Sequence, residues 1–409
     1  MAEPNVLIIG GGMAGLTAAL ELARFEVRSN VVESSPFAGG QAIGFSCKAT
    51  SACVRCGACL AEDRLQSAVE SPEIRILPSS RLLELSRSNG PFSAVVLRSP
   101  RVVDPDLCTG CGRCVDVCPE EAVRRAPSPY NRPPLAVDLD RCARFAGGDC
   151  TACVDACPES ALAFDRGEER LALEPHALIL ASGFHVFDPR EKPYGYGEME
   201  DVITNLELER MLREKGGLVR PSDGSPPGRI AFIQCVGSRD ERLGHLWCSR
   251  VCCGSAPRTA RRLRFLEPEL DVTVFYIDIQ TFGRDFESAW NELRREFRFI
   301  RAVPADAVPT ENRRVRLSYF DPETGSPDSL DVDLLVLSVG ITPGRDLAGT
   351  SALLGLRRGA DGFVEAGDSG NPPAGVTAPG TVLGPMGILD AVKSGKASAW
   401  RTLENLGMV

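Results

Sequence analysis

The chain has 409 residues, enough for two or three domains, and its 43% hydrophobic and 25% charged residues fit a globular protein with sizeable cores. A net charge of −9 excludes a broadly basic nucleic-acid-binding face, and no apolar run reaches the ~18–20 residues of a membrane-spanning helix. No basic leader precedes the first apolar run, which predicts a cytoplasmic protein. Sixteen cysteines are anomalous in that setting: thiols stay reduced there, so metal ligation or redox chemistry is expected of them rather than disulfides. They fall into four groups of four with none left over.

Asn5-Val6-Leu7-Ile8-Ile9 reads as a short buried strand, followed at once by Gly10-Gly11-Gly12-Met13-Ala14-Gly15 and a helical pattern. Strand, G-x-G-x-x-G and helix in that order form a dinucleotide fingerprint. Gly10 makes the tight turn, Gly12 lets the backbone approach a pyrophosphate, and Gly15 lets helix and strand pack closely. Ala14 lies at the helix start, whose free N–H groups suit phosphate. A second strand ends at Glu33, about twenty residues on, where an acid suits ribose hydroxyls. The Gly39-Gly40-Gln41 stretch that follows resembles the extension found in two-dinucleotide-domain flavoproteins.

Cys47, Cys53, Cys56 and Cys59 come next, denser than packing requires. A 4Fe–4S cluster, a redox dithiol and structural thiols are the alternatives, with the cluster favoured. Further on, Cys108-Thr109-Gly110-Cys111-Gly112-Arg113-Cys114-Val115-Asp116-Val117-Cys118-Pro119 is C-x2-C-x2-C-x3-C-P, the bacterial ferredoxin run. A second run comprises Cys142, Cys150, Cys153, Cys157 and Pro158, with a lengthened first gap. The crossed pattern assigns Cys108, Cys111, Cys114 and Cys157 to one 4Fe–4S cluster, and Cys142, Cys150, Cys153 and Cys118 to another. Zinc ribbons do not need the repeated Cys-Pro ending. The proline-rich stretch 127–134 between the runs reads as a spacer or a docking surface.

Ala177 to Ala181 is an apolar strand ending in Ser182-Gly183, like the strand that closes the FAD site in that flavoprotein superfamily. Near the end, Gly384-Pro385-Met386-Gly387 precedes a helix from Ile388 and resembles the segment that sets a helix N-terminus at the flavin ring. Between them, the strand from Arg229 runs into Cys235, where a nicotinamide-nucleotide domain would carry its own glycine fingerprint; only Gly237 is present. Cys235, Cys248, Cys252 and Cys253 form the last group, read as cluster ligands, redox-active thiols or an inert core, with the cluster favoured. His176, His185 and His245 are isolated and read as packing or surface histidines.

The blocks Ile203 to Arg210, Val219 to Gly224, Ile233 to Asp240, Cys248 to Cys253 and Phe275 to Asp278, with the ferredoxin pair ahead of the Ala-Ser-Gly strand, resemble the A-subunit family of heterodisulfide reductase over nearly the whole chain. The resemblance implies an α/β two-dinucleotide-binding-domain flavoprotein, thioredoxin or glutathione reductase-like, with an inserted α+β bacterial-type two-cluster ferredoxin. The expected division is 1–98, 171–214 and 346–409 for the FAD-binding domain, 99–170 for the ferredoxin, and 215–345 for a second Rossmann-like domain carrying a cysteine cluster. It further implies FAD, up to four 4Fe–4S clusters and an oxidoreductase subunit that relays electrons among partners, in some members by flavin-based bifurcation. Those partners are other subunits of such a complex: iron–sulfur subunits, ferredoxin, and hydrogenase-linked or quinone-reducing modules that attach it to a membrane face. Oligomerisation is expected with them, and a self-contained disulfide or NAD(P)H oxidoreductase is the alternative. The family's C-x-x-C corresponds to Cys56 and Cys59, whereas Cys47 and Cys53 are additional. The family often carries a lysine near the flavin five residues past the Cys-Cys pair. Here that candidate catalytic position is Arg258, a permanently charged side chain that makes a poor proton donor.

Overall fold

In the computed structural model of the chain, which describes residues 4–87, 90–280, 286–365 and 372–409, two parallel sheets of five strands each organise the molecule. The first has the order Val376–Thr377, Ala177–Leu180, Asn5–Ile9, Arg28–Val32 and Ile74–Leu77. The second has the order Val202–Thr204, Leu334–Val339, Arg229–Val236, Asp271–Phe275 and Arg298–Ile300. The helices, in chain order, are α1 (Met13–Ala23), α2 (Leu60–Glu70), α3 (Arg113–Asp116), α4 (Ala152–Asp155), α5 (Asn205–Lys215), α6 (Cys252–Leu266), α7 (Phe286–Glu296), α8 (Leu347–Leu353) and α9 (Ile388–Asn405).

Both central strands are apolar on both faces, as parallel strands covered on two sides must be. Alternate residues serve opposite layers. Val6 and Ile8 pack with Leu16 of α1 and Val392 of α9, while Leu7 and Ile9 pack with Phe92 and Val96 of an antiparallel meander. The second sheet repeats the plan. Ile230 and Phe232 face Leu208 of α5 and Leu263 of α6, and Ala231 and Ile233 face Val315 and Leu317 of a second meander.

The two meanders show where the ferredoxin-like segment enters. In the second, Val315–Asp321 and Ser326–Val332 are joined by a tight turn in which Gly325 N–H donates to the Asp321 carbonyl at 2.9 Å. In the first, Phe92–Arg98 and Glu169–Leu173 pair in the same antiparallel way, but residues 99–168 replace the turn. Arg98 and Glu169, the last pair of that ladder, also form an ion pair at 3.4 Å. Within the segment, α3 and α4 head two similar halves that are bridged at Val103 and Leu162.

Residues 202–214, expected with the FAD-binding part, lie instead in the second unit. Val202–Thr204 pairs with Leu334–Val339 as its edge strand, and Thr204 caps α5 through a reciprocal capping box with Glu207. The strand passes directly into a capped helix, so the boundary falls before it. A second link joins the two units: Phe184–Val186 pairs antiparallel with Ile341–Pro343.

The crossing of α1 over α9 depends on Gly395, where a Cβ would lie 2.5 Å from the Ala14 carbonyl oxygen. Gly395→Ala is therefore expected to lower stability by about 1–3 kcal/mol, the usual cost of overpacking. Gly349→Ala, on the exposed side of α8 with nothing within 4 Å of the new methyl, should raise it by roughly 0.5–1 kcal/mol. Thermal unfolding of both variants checks the pair.

Candidate flavin and cysteine sites

A cleft of about 550 Å³ opens at the C-terminal edge of the first sheet, where parallel sheets bind ligands. Gly10 turns the chain at φ +107, and a Cβ there would lie 2.2 Å from the Ala181 oxygen, so only glycine lets the two strand ends approach. Gly10, Gly12, Ala14, Glu33, Gly40, Gln41, Ser182, Gly183, Met386 and Gly387 all reach the cleft wall. Gly15, Gly39 and Gly384 do not; Gly15 packs on the Gly10 carbonyl and Gly39 on Ile43. Glu33 is buried, its two carboxylate oxygens accepting from Gly11 N–H and Ser35 N–H, each at 2.8 Å. Burial pushes its pKa up, and those hydrogen bonds oppose the rise. The open wall, the acid and the start of α1 together fit a dinucleotide of FAD's size.

The rest of the cleft comes from elsewhere in the fold. Arg124 and Pro127 reach it from the ferredoxin-like segment, and Asn205, Val251 and Ser255 from the second unit. His185 also lines it, though nothing in its sequence context marks it out; burial lowers its pKa. These residues carry no local motif. Only the topology that folds both units over one sheet edge could reveal them.

The sixteen cysteines occupy four places. Cys108, Cys111, Cys114 and Cys157 line one small cavity, and Cys118, Cys142, Cys150 and Cys153 line another. The two halves match: Ala122 N–H donates to Cys118 Sγ at 3.2 Å, and Ala161 N–H to Cys157 Sγ at 3.3 Å. Burial and the neighbouring thiols push Cys153 up to about 11. Among the described residues no three His, Cys, Asp or Glu side chains converge tightly enough to hold a single metal ion. A 4Fe–4S cubane takes four thiolates, and four cysteines line each of these two cavities.

Cys235, Cys252 and Cys253 are buried together beside Ile277 and Ile279, with Cys248 half-buried at the rim. Cys235 sits at φ +60, a strained backbone for a residue with a side chain, at the end of its strand. A hydrogen bond from the Cys252 thiol lowers the Cys235 pKa against burial, and the same bond pushes Cys252 up to about 12. Arg239 forms a two-pronged ion pair with Asp278 alongside. Since α6 begins at Cys252, this group lies next to Val251 and Ser255 on the cleft wall.

Cys47, Cys53 and Cys59 are exposed and Cys56 half-buried. Burial chiefly, then Asp63, Cys56 and Cys47, raises the Cys59 thiol. Cys56 lines a second cavity of about 260 Å³ that adjoins the cleft and shares Phe45, Val251, Ser255, Gly387 and Ile388 with it. Arg258 lines this adjoining cavity and not the cleft itself; its Nη1 donates to the Gly254 carbonyl at 2.9 Å. Lys48 and Glu209 line the same cavity and were not singled out by sequence, since a lysine among cysteines carries no pattern. No helix among the described residues is long and apolar enough to cross a membrane.

Comparison with known proteins agrees with this layout. An FAD binding domain model matches residues 5–55, and a 4Fe-4S binding domain model matches residues 101–124. Among solved structures, thioredoxin reductase of Lactococcus lactis aligns over 99% of this chain and 100% of its own, with a TM-score of 0.56 at 14% identity. That of T. acidophilum covers 99% of both chains at a TM-score of 0.54 and 14% identity. At that identity the likeness shows the fold alone, a thioredoxin reductase-like α/β fold; the flavin and 4Fe–4S character rests on the two domain models. Among curated relatives, the A-subunit of the H(2):CoB-CoM heterodisulfide,ferredoxin reductase of Methanothermobacter marburgensis is 33% identical over 98% of this chain. One of the iron-sulfur A-subunits of the CoB--CoM heterodisulfide reductase of Methanopyrus kandleri is 35% identical over 97%. This chain spans 63% of the length of each of those two relatives. With such identity held along nearly the whole chain, and with an FAD binding and a 4Fe-4S binding domain both matched, the chain is similar throughout to the heterodisulfide reductase A-subunits.

Proposed function

We propose that the chain is an electron-transfer subunit of a heterodisulfide reductase-like oxidoreductase complex, relaying electrons between partner subunits through FAD and up to four 4Fe–4S clusters. One observation carries the reading: segments that carry three of the cysteine groups line the flavin cleft or the cavity beside it. The ferredoxin-like segment reaches it through Arg124 and Pro127, α6 carries Cys252 and Cys253 behind Val251 and Ser255, and Cys56 lies beyond Gly387.

FAD bound in the cleft supplies exchange between two-electron and one-electron carriers, and clusters at the cysteine groups carry single electrons. The chain's own groups hold these in place. The start of α1 and Gly12 receive the pyrophosphate, Glu33 the ribose, and the start of α9 at Gly387–Ile388 faces the ring end. Arg258 fixes a positive charge in the adjoining cavity, and as a guanidinium it holds that charge without exchanging a proton.

The rival reading, a self-contained NAD(P)H or disulfide oxidoreductase, needs a nucleotide cradle on the second sheet. At the strand end where that cradle belongs, the buried Cys235 stands instead. NAD(P)H alone is accordingly expected to leave the flavin absorbance of the isolated protein unchanged over many minutes, whereas a chemical one-electron reductant bleaches it. Bleaching by NADH within seconds would favour the rival.

Anaerobically purified protein is expected to hold about sixteen irons per FAD, four for each cysteine group. About eight would confine clusters to the ferredoxin-like segment and return the other two groups to thiol chemistry. Cys157→Ala should remove about four irons and the EPR signal of the cluster held by Cys108, Cys111 and Cys114. Loss instead of the signal that depends on Cys150 and Cys153 would show the crossed assignment to be wrong.

A further inference from the structure

Electron transfer as described leaves one buried pair of charges without a part. Lys48 and Glu209 form an ion pair with side chains 5% and 7% exposed, and Lys48 is the one lysine buried among the described residues. Lys48 belongs to the loop that follows the Gly39-Gly40 turn of the first unit, whereas Glu209 lies on α5 of the second. The pair therefore bridges the two units.

Its hydrogen bonding is complete on the cationic side. Beyond Glu209, Lys48 Nζ donates to the Ser46 carbonyl at 2.9 Å and to Ser46 Oγ at 3.1 Å, which occupies all three ammonium hydrogens. Glu209 Oε2 accepts in turn from Ser46 N–H at 3.0 Å and Ser46 Oγ at 2.9 Å. Two arginines extend the grip: Arg213 of α5 donates to the Phe45 carbonyl at 3.3 Å, and Arg262 of α6 to the Ala49 carbonyl at 3.1 Å. Residues 45–49 lie in no strand or helix, and charged side chains of the second unit hold their backbone groups.

A buried ion pair is a poor source of net stability compared with apolar residues of the same size; what it supplies is intolerance of misplacement, because separating the partners strands a charge. Units joined by a few strands move relative to one another by default. The held segment contains Cys47 and leads directly to Cys53, Cys56 and Cys59.

We propose that the Lys48–Glu209 pair is an interdomain clamp that holds the Cys47–Cys59 loop at the flavin end of the cleft and locks the second unit against the first. Lys48 and Glu209 are positioning residues, acting through the loop. The role in electron transfer rests on the reading that this cysteine group carries a cluster; the clamp itself does not.

The test uses full-length, anaerobically purified protein with Lys48→Met and Glu209→Gln, measuring hydrogen–deuterium exchange together with iron and flavin content. In either variant, exchange in peptides covering 45–59 should speed up at least about tenfold, the size expected when one buried partner is lost. Peptides of the ferredoxin-like segment should keep their protection, FAD should be retained, and about four irons per FAD should be lost. Unchanged exchange over 45–59 would overturn the clamp. So would loss of protection along the whole chain, since the pair would then hold the fold and not the loop. Ser46→Ala, which removes a hydroxyl and no charge, gives a milder form of the same test and should shift the same peptides by less. Wild-type protein with about twelve irons per FAD would remove the cluster from the reading, and the exchange data would still decide the clamp.

Discussion

A chain that interrupts a β-meander must re-enter it where it left, because a packed antiparallel ladder tolerates no gap between neighbouring strands. Here the departure and return points are the paired residues Arg98 and Glu169. Closing seventy residues at that pair costs little more than closing a moderately long loop, since closure entropy grows only with the logarithm of length. The insertion therefore leaves the flavin-binding sheet intact. It also fixes the position of the inserted segment, anchored at both ends on one edge of one sheet. Further side-chain contacts tether it from within: Asn131 Nδ2 donates to the Ala38 carbonyl at 3.2 Å, and Ser128 Oγ to Glu62 at 3.3 Å. The proline-rich stretch, which by sequence could have been a spacer or a docking surface, docks onto the molecule's own first unit.

What was legible in the sequence was whatever is written locally. Gly10, Gly12 and Gly15 act within a single turn, and Cys108 to Cys118 lie within one short wrap of chain, so spacing alone carries their geometry. The partition that places Cys118 beside Cys150 and Cys153, and Cys157 beside Cys108, is nonlocal. It is inferable only because the two runs repeat. The other cleft walls were not legible: Arg124, Asn205, Val251 and Ser255 are ordinary residues in ordinary contexts, brought together by the packing of the second unit and the insert. Arg258 illustrates the limit from the other side. The family resemblance implied a place near the flavin for it; its side chain donates to the Gly254 carbonyl and lines the adjoining cavity.

The two buried chemistries near the cleft differ in how they are supported. The ferredoxin-like cavities are lined by thiols that accept backbone N–H groups in matching positions, a regular arrangement that repeats between halves. The Cys235 group has no such repeat. It has a left-handed residue, Cys235, at the end of one parallel strand and the Arg239–Asp278 pair nearby. Reduction potential responds to hydrogen bonds, burial and charge, so clusters at both places, as proposed above, would differ in potential even with the same ligand atoms.

The two parallel sheets share a strand plan but complete it from opposite directions. The second takes its edge strand from Val202–Thr204, ahead of its other strands, so every strand lies within residues 202–339. The first takes its edge strand from Val376–Thr377 and its covering helix α9 from Ile388–Asn405, after the whole second unit has been made. During synthesis from the N-terminus, the second unit can reach its full strand complement while the first still lacks a strand and a helix. The flavin cleft, whose wall includes Met386 and Gly387, thus closes only once the ribosome has passed the second unit. Capture of FAD then reports that both sheets have all their strands, and the part of α1 that packs on α9 stays uncovered until α9 emerges.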